Sequence, residues 1–107
     1  MIHLFIDTSI SYPTIAIVKD DNIIYCFHEH IEKNMSTMIL PIINEGLMKN
    51  NLSVKDIDKL FVVTGPGSFT GIRIGVAIAK TIAWALKKDV IPISSLELIA
   101  SANRDKK

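Results

Sequence analysis

Cysteine is almost missing from this sequence: Cys26 is the only one among 107 residues. A single thiol excludes an internal disulfide and a cysteine-built zinc site, and fits a reducing compartment. Long apolar runs are lacking too. The longest candidate, Ile72 to Leu86, is broken by Arg73, Lys80 and Thr81, short of the roughly 18 uninterrupted apolar residues expected of a membrane span. Neither charge sign dominates, since 12 Lys and Arg against 11 Asp and Glu leave a formal charge of +1. That balance excludes a nucleic-acid footprint spread over the whole surface, so any RNA contact is local. The N-terminus has no basic stretch and soon reaches Asp7, unlike a secretory signal, and a cytoplasmic protein is expected. Repeats, low-complexity tracts and Pro- or Ser-rich linkers are absent as well, so nothing inside the chain marks a domain boundary.

What is present is globular in kind: 49% hydrophobic and 21% charged residues, on a length suited to one domain that buries roughly 65% of its unfolded surface. Three β-branched segments come first, Ile2 to Ile6, Thr14 to Val18 and Ile23 to Phe27, and they predict strands. Between the second and third, Asp20-Asp21-Asn22 tolerates left-handed geometry and predicts a hairpin; the break from Thr8 to Pro13 is expected to reverse the chain as well. From Met35 the period changes. Met35, Ile39, Ile42, Ile43 and Leu47 recur at helical spacing, predicting an amphipathic helix to Lys49-Asn50 that Pro41 and Gly46 weaken. Leu60 to Val63 and Val90 to Ile93 read as strands flanking a helix from Gly71 to Leu86, and Ser94-Ser95-Leu96-Glu97 matches a capping box opening a last helix through Ala102. The predicted order βββαβαβα is an α/β fold with a mixed five-stranded sheet, its first three strands antiparallel and its last two parallel. This is the pattern of the ribonuclease-H-like and actin-like half-unit.

The densest chemical signal is the stretch from Gly65 to Gly75, Gly-Pro-Gly-Ser-Phe-Thr-Gly-Ile-Arg-Ile-Gly, between a strand and a helix N-terminus. Such a junction suits phosphate. The spacing fits neither a Walker loop, for which the lysine and hydroxyl pair is missing, nor a Rossmann fingerprint, whose third glycine would come one residue earlier than Gly71. Ser68 resembles a nucleophile at a strand-to-helix elbow, but Pro66 and Thr70 stand where glycines belong, and His3, His28 and His30 all lie upstream. A glycine-assisted turn with Ser68 or Thr70 capping the helix explains the same residues without catalysis. His28 and His30 share a strand face but have no obvious third ligand for zinc.

The stretch Gly65, Pro66, Gly67, Ser68, Phe69, Thr70, Gly71, Ile72, Arg73, Ile74 and Gly75, with Ile6-Asp7-Thr8-Ser9 after the first strand and Ile39-Leu40-Pro41 in the first helix, resembles the TsaB (YeaZ) family. The likeness runs from Leu4 to about Ala100. That family belongs to the machinery making N6-threonylcarbamoyladenosine at position 37 of tRNAs that read codons beginning with A. The resemblance implies an actin-like (ASKHA) domain over residues 1–107, with the family's second domain absent. It also implies a non-catalytic subunit that pairs with the catalytic paralogue TsaD alongside the ATPase TsaE, forms homodimers in isolation and meets tRNA only through the complex. No cofactor is expected on this chain alone, ATP being used by the complex, and no metal or membrane partner is expected. The family tends to place a histidine where this sequence has Met35, so that residue's role is not carried over. The superfamily's older glycoprotease label rests on a His-x-x-x-His pair, which His28-x-His30 does not match.

The second helix favours a partner on physical grounds of its own. Between Ile74 and Leu86 only Gly75, Lys80 and Thr81 are not apolar, so one sheet face cannot cover it. Gly71, Gly75, Ala79 and Ala83 fall four apart as a small-residue ridge on which another helix could pack closely. The expected interface therefore comprises Met35, Met38, Ile39 and Ile42 of the first helix with Gly71, Gly75, Ala79 and Ile82 of the second. Asp7, Thr8 and Ser9 stand where actin-like enzymes hold phosphate, as a possible remnant of that loop, with Arg73 placed to neutralise Asp7 or an anion. The rivals are a stand-alone nucleotide-binding hydrolase or kinase-like enzyme using Asp7 and the glycine loop, and a metal-dependent glycoprotease using His28 or His30.

Overall fold

A computed structural model describes residues 1–94 except Ser11, Glu32 and Pro66. The expected helix after Ser94 and the role given to Pro66 lie outside the described residues. Strands β1 (Ile2–Asp7), β2 (Thr14–Lys19) and β3 (Asn22–His28) are followed by helix α1 (Met35–Lys49), strand β4 (Lys59–Gly65), helix α2 (Phe69–Leu86) and strand β5 (Val90–Ser94). A 3-10 turn at Val54–Asp56, which the sequence pattern does not announce, leads into β4.

The sheet order is β3-β2-β1-β4-β5. β1, β2 and β3 form the antiparallel meander, while β4 runs parallel to both β1 and β5. Asp20 (φ 50°) and Asp21 (φ 69°) both take left-handed conformations, the geometry that lets a two-residue hairpin loop follow the twist of its strands. Alternation then sorts the side chains: Ile2, Leu4 and Ile6 of β1, Ile15 and Ile17 of β2, and Leu60 and Val62 of β4 are buried in one cluster with Ile39, Ile43 and Leu47 of α1 and Ala79, Ile82 and Ala83 of α2. Both helices thus cover the same face of the sheet.

Helix α1 runs unbroken through Pro41. Gly46 serves packing rather than weakening it, because a Cβ there would meet the Tyr25 ring of β3. Helix α2 begins two residues before Gly71, because the Ser68 hydroxyl accepts the Gly71 N–H at 3.2 Å and caps its first turn. At 18 residues with mean hydropathy 1.4, α2 is long and apolar enough to cross a membrane by composition alone. In this fold it is instead the crossover between two parallel strands, with its small-residue face on the sheet.

Candidate functional site

The parallel pairing of β1 with β4 brings their carboxyl ends side by side, so Asp7-Thr8-Ser9 meets the loop that opens α2. The junction is closed by the chain itself. The Ser68 N–H donates to the Ser9 carbonyl at 2.7 Å, and the Thr8 hydroxyl donates to the Gly71 carbonyl at 2.5 Å. Three glycines permit this approach: a Cβ on Gly67 would stand 2.8 Å from the Ser9 carbonyl oxygen, one on Gly71 would overlap the Thr8 carbonyl oxygen, and one on Gly75 would stand 2.5 Å from the Thr8 hydroxyl. Thr8 and Ser9 are buried. Asp7 directs its carboxylate into its own turn, accepting from the Ser9 N–H at 3.0 Å and the Ser9 hydroxyl at 2.6 Å.

One expectation about this loop is corrected, and the cap expected of Ser68 or Thr70 is found at Ser68. Arg73 does not neutralise Asp7; it is exposed on the outer side of α2, its guanidinium 5.8 Å from the Phe69 ring centroid, because it lies on the side of the helix opposite Gly71 and Gly75. Ser68 is a helix cap with no histidine bonded to it: His28 shares a 2.9 Å hydrogen bond with Thr14, His30 lies against Tyr12, and His3 packs edge-on to Phe61. Among the described residues no three His, Cys, Asp or Glu side chains gather where they could hold a metal.

Helix α2 presents three distinct faces. The small-residue ridge of Gly71, Gly75, Ala79 and Ala83 is buried, and Gly75 packs on Ile6 and Val62 of the chain's own sheet. The expectation that Gly71, Gly75 and Ala79 receive another helix is therefore corrected: close backbone approach is used within the domain, between helix and strands. Ile39, Ile42 and Ile82 are interior too, as members of the core between helices and sheet. Of the expected interface residues only Met38, 42% exposed, and the half-buried Met35 remain accessible.

The flank of α2 that faces α1 is different. Ile74 and Ile78 are half-buried and Ala77 is exposed, and with Ser36 and Leu40 of α1 they border adjoining hollows of about 440 and 240 Å³. A third, about 270 Å³, continues past Met35 and Ile31 to Thr8, and shares Thr70 and Ile74 with the first. Together they form a groove along the two helices, largely apolar with Arg73 and Thr70 at one end. The sequence reading missed Leu40, Ala77 and Ile78. For α2 the available signal was the three- and four-residue spacing of Ala77 and Ile78 from Ile74, round the helix from the glycine ridge.

The third face is outermost, with Phe69 76% and Trp84 86% exposed. The claim that α2 carries more apolar surface than its fold hides thus holds, although on other residues than the ridge.

A domain with this topology and glycine junction has clear relatives. Residues 28–107 match the family described as tRNA N6-adenosine threonylcarbamoyltransferase, TsaD. The chain belongs to this family, on its TsaB branch. A tRNA threonylcarbamoyladenosine biosynthesis protein TsaB from Bacillus subtilis (strain 168) is 39% identical over 101 residues, covering 94% of this chain and 44% of that protein. A tRNA N6-adenosine threonylcarbamoyltransferase from Persephonella marina is 34% identical over 59 residues, 55% of this chain and 17% of that one. The solved structure of YeaZ from Pseudomonas aeruginosa superposes with a TM-score of 0.88 at 26% identity, over 98% of this chain and 49% of that one. The actin-like fold implied by the sequence is therefore the fold of the domain. The chain spans less than half the length of the TsaB relatives it matches.

Proposed function

We propose that this protein is a non-catalytic TsaB-type subunit in the formation of N6-threonylcarbamoyladenosine in tRNA, pairing through the groove between α1 and α2 with the catalytic paralogue TsaD and positioning it. One observation carries this reading: the apolar flank of α2 stands open along α1, while Asp7, Thr8 and Ser9 spend their side chains on hydrogen bonds within the chain. Covering the exposed parts of Met38, Leu40, Ile74 and Ile78 stabilises an assembly by about 25 cal/mol for each Å² removed from water. ATP belongs to the complex, with TsaE as its ATPase, and the same groove accounts for a homodimer when TsaD is absent.

Ala77→Glu tests the pairing. Ala77 is exposed, so the change leaves stability within about 0.5 kcal/mol while placing a charge against an apolar partner surface. Light scattering after gel filtration is expected to show loss of both the homodimer and the TsaD complex. A variant that pairs as well as the parent overturns the groove assignment. The rival reading, a stand-alone nucleotide hydrolase, requires tight ATP binding and turnover by the isolated chain, and titration calorimetry is expected to show neither.

A further inference from the structure

The groove leaves the outer ridge of α2 unexplained. Its exposed positions read Phe69, Arg73, Ala77, Lys80 and Trp84, with Arg73 and Ala77 at the border of the groove, and Lys87 and Lys88 follow at the helix end. Helical spacing sets Phe69, Arg73, Lys80 and Trp84 along one stripe, while Lys87 and Lys88 follow the helix end and border the same hollow as Trp84. Helix α2 contains no acidic residue, and among the described residues the ion pairs are Met1–Asp20 and Lys49–Glu45, so no cation of the ridge is neutralised by a carboxylate. Trp84 is the only tryptophan in the sequence and is 86% exposed. It borders an open hollow of about 590 Å³ with Lys87 and Lys88, where Asp89 is the single acid. The negative end of the helix is moderated here, because the N–H groups of Lys87 and Lys88 cap the Trp84 and Ala83 carbonyls.

An indole lying open among unneutralised lysines has the chemistry of a base-stacking platform beside a phosphate track. Stacking is tolerant of base identity and works on unpaired bases, and lysines hold the backbone that joins them. An apolar protein surface would leave the lysine charges facing nonpolar groups, whereas a polyanion with aromatic faces satisfies both components. We propose that the outer ridge of α2, centred on Trp84 with Lys80, Lys87 and Lys88, binds a single-stranded segment of RNA, in context an unpaired stretch of the tRNA. This site is separate from the groove. Its choice of ligand rests on the proposed role in tRNA modification, but its test does not depend on the pairing with TsaD.

The test uses the fluorescence of Trp84, which in the chain by itself reports this position alone, and the anisotropy of fluorescein-labelled RNA where TsaD is present. The full chain, by itself and with TsaD, is titrated with a single-stranded RNA dodecamer and with an RNA duplex of equal length. Single-stranded RNA is expected to quench Trp84, with a log–log salt slope near about −2 for three phosphate contacts at roughly 0.7 each. Read by the anisotropy of a fluorescein-labelled strand, Trp84→Ala is expected to weaken binding about tenfold, and Lys80→Gln with Lys88→Gln to flatten the salt slope. At 86% exposure Trp84 can be replaced without disturbing the core. Absence of RNA binding in both states of the protein, equal affinity of the Trp84→Ala variant, or preference for the duplex overturns the proposal. So does a Trp84 response to TsaD or to a second copy but not to RNA, which would make the indole a protein anchor. Leu40→Glu, which puts a charge in the groove on α1 away from the ridge cations, separates the two readings: RNA binding retained while pairing is lost leaves this site standing, and pairing retained by Trp84→Ala with RNA binding lost leaves the groove standing.

Discussion

Gly75→Ala tests the physical basis of the glycine junction, because helix propensity and packing predict opposite signs. In an exposed helix interior the change stabilises by about 1 kcal/mol. Here the new Cβ would stand 2.5 Å from the buried Thr8 hydroxyl, with Ile6 and Val62 methyls at 3.4 and 3.5 Å. Thr8 would have to move, breaking its bond to the Gly71 carbonyl. Losing that bond in the interior costs about 1–3 kcal/mol and overpacking about the same, so the net effect is a destabilisation of about 3 kcal/mol. Urea unfolding followed by far-ultraviolet circular dichroism measures it; Trp84, being exposed, is a poor probe of the core. Thr8→Ala removes the obstructing hydroxyl, so the double variant should recover about 2 kcal/mol relative to additivity. Gly71→Ala is the control. Its obstacle is the Thr8 main-chain carbonyl, which Thr8→Ala leaves in place, and no recovery is expected. A neutral or stabilising Gly75→Ala, or a double variant that merely adds, would refute the account. The result also bears on partner binding: association lost through substitution of Gly75 would report a damaged core, not an interface.

Lys87 closes α2 in a left-handed conformation at φ 57°, a position suited to glycine, so Lys87→Gly should raise stability by about 1 kcal/mol while weakening RNA binding at the ridge. A thermal midpoint that stays level or falls counts against the first half of that statement. Burial, and then the carboxylates of Glu45 and Glu29, hold the Tyr25 phenol above the ordinary tyrosine value of 10.0. The folded state therefore keeps a proton that the unfolded chain releases, and stability falls as pH rises above about 10. Alkaline absorbance titration compared with Tyr25→Phe checks this, and a tyrosine titrating at or below its ordinary value would contradict it.

Much of the fold was legible along the chain because its signals are local. β-Branched segments between turn residues marked β1 to β3, Asp20 and Asp21 marked a tight turn by tolerating positive φ, and Ser68 marked the start of α2 by its capping hydroxyl. The family resemblance was equally legible, carried by the run from Gly65 to Gly75. Which way α2 faces was not. Its sequence is apolar on nearly every side, so periodicity could not choose an inner face, and the small-residue ridge looked as suited to a foreign helix as to the chain's own strands. That choice depends on Thr8 and Ser9, more than 50 residues upstream, reaching the first turns of α2 only once β1 pairs with β4. The same contact settled the position of Asp7, whose carboxylate closes a local turn instead of meeting Arg73. The sequence by itself determined the elements, their order and the family, since those follow from neighbours a few residues apart. Only the tertiary structure decided which surfaces are left for partners, because exposure is what remains after distant segments have packed.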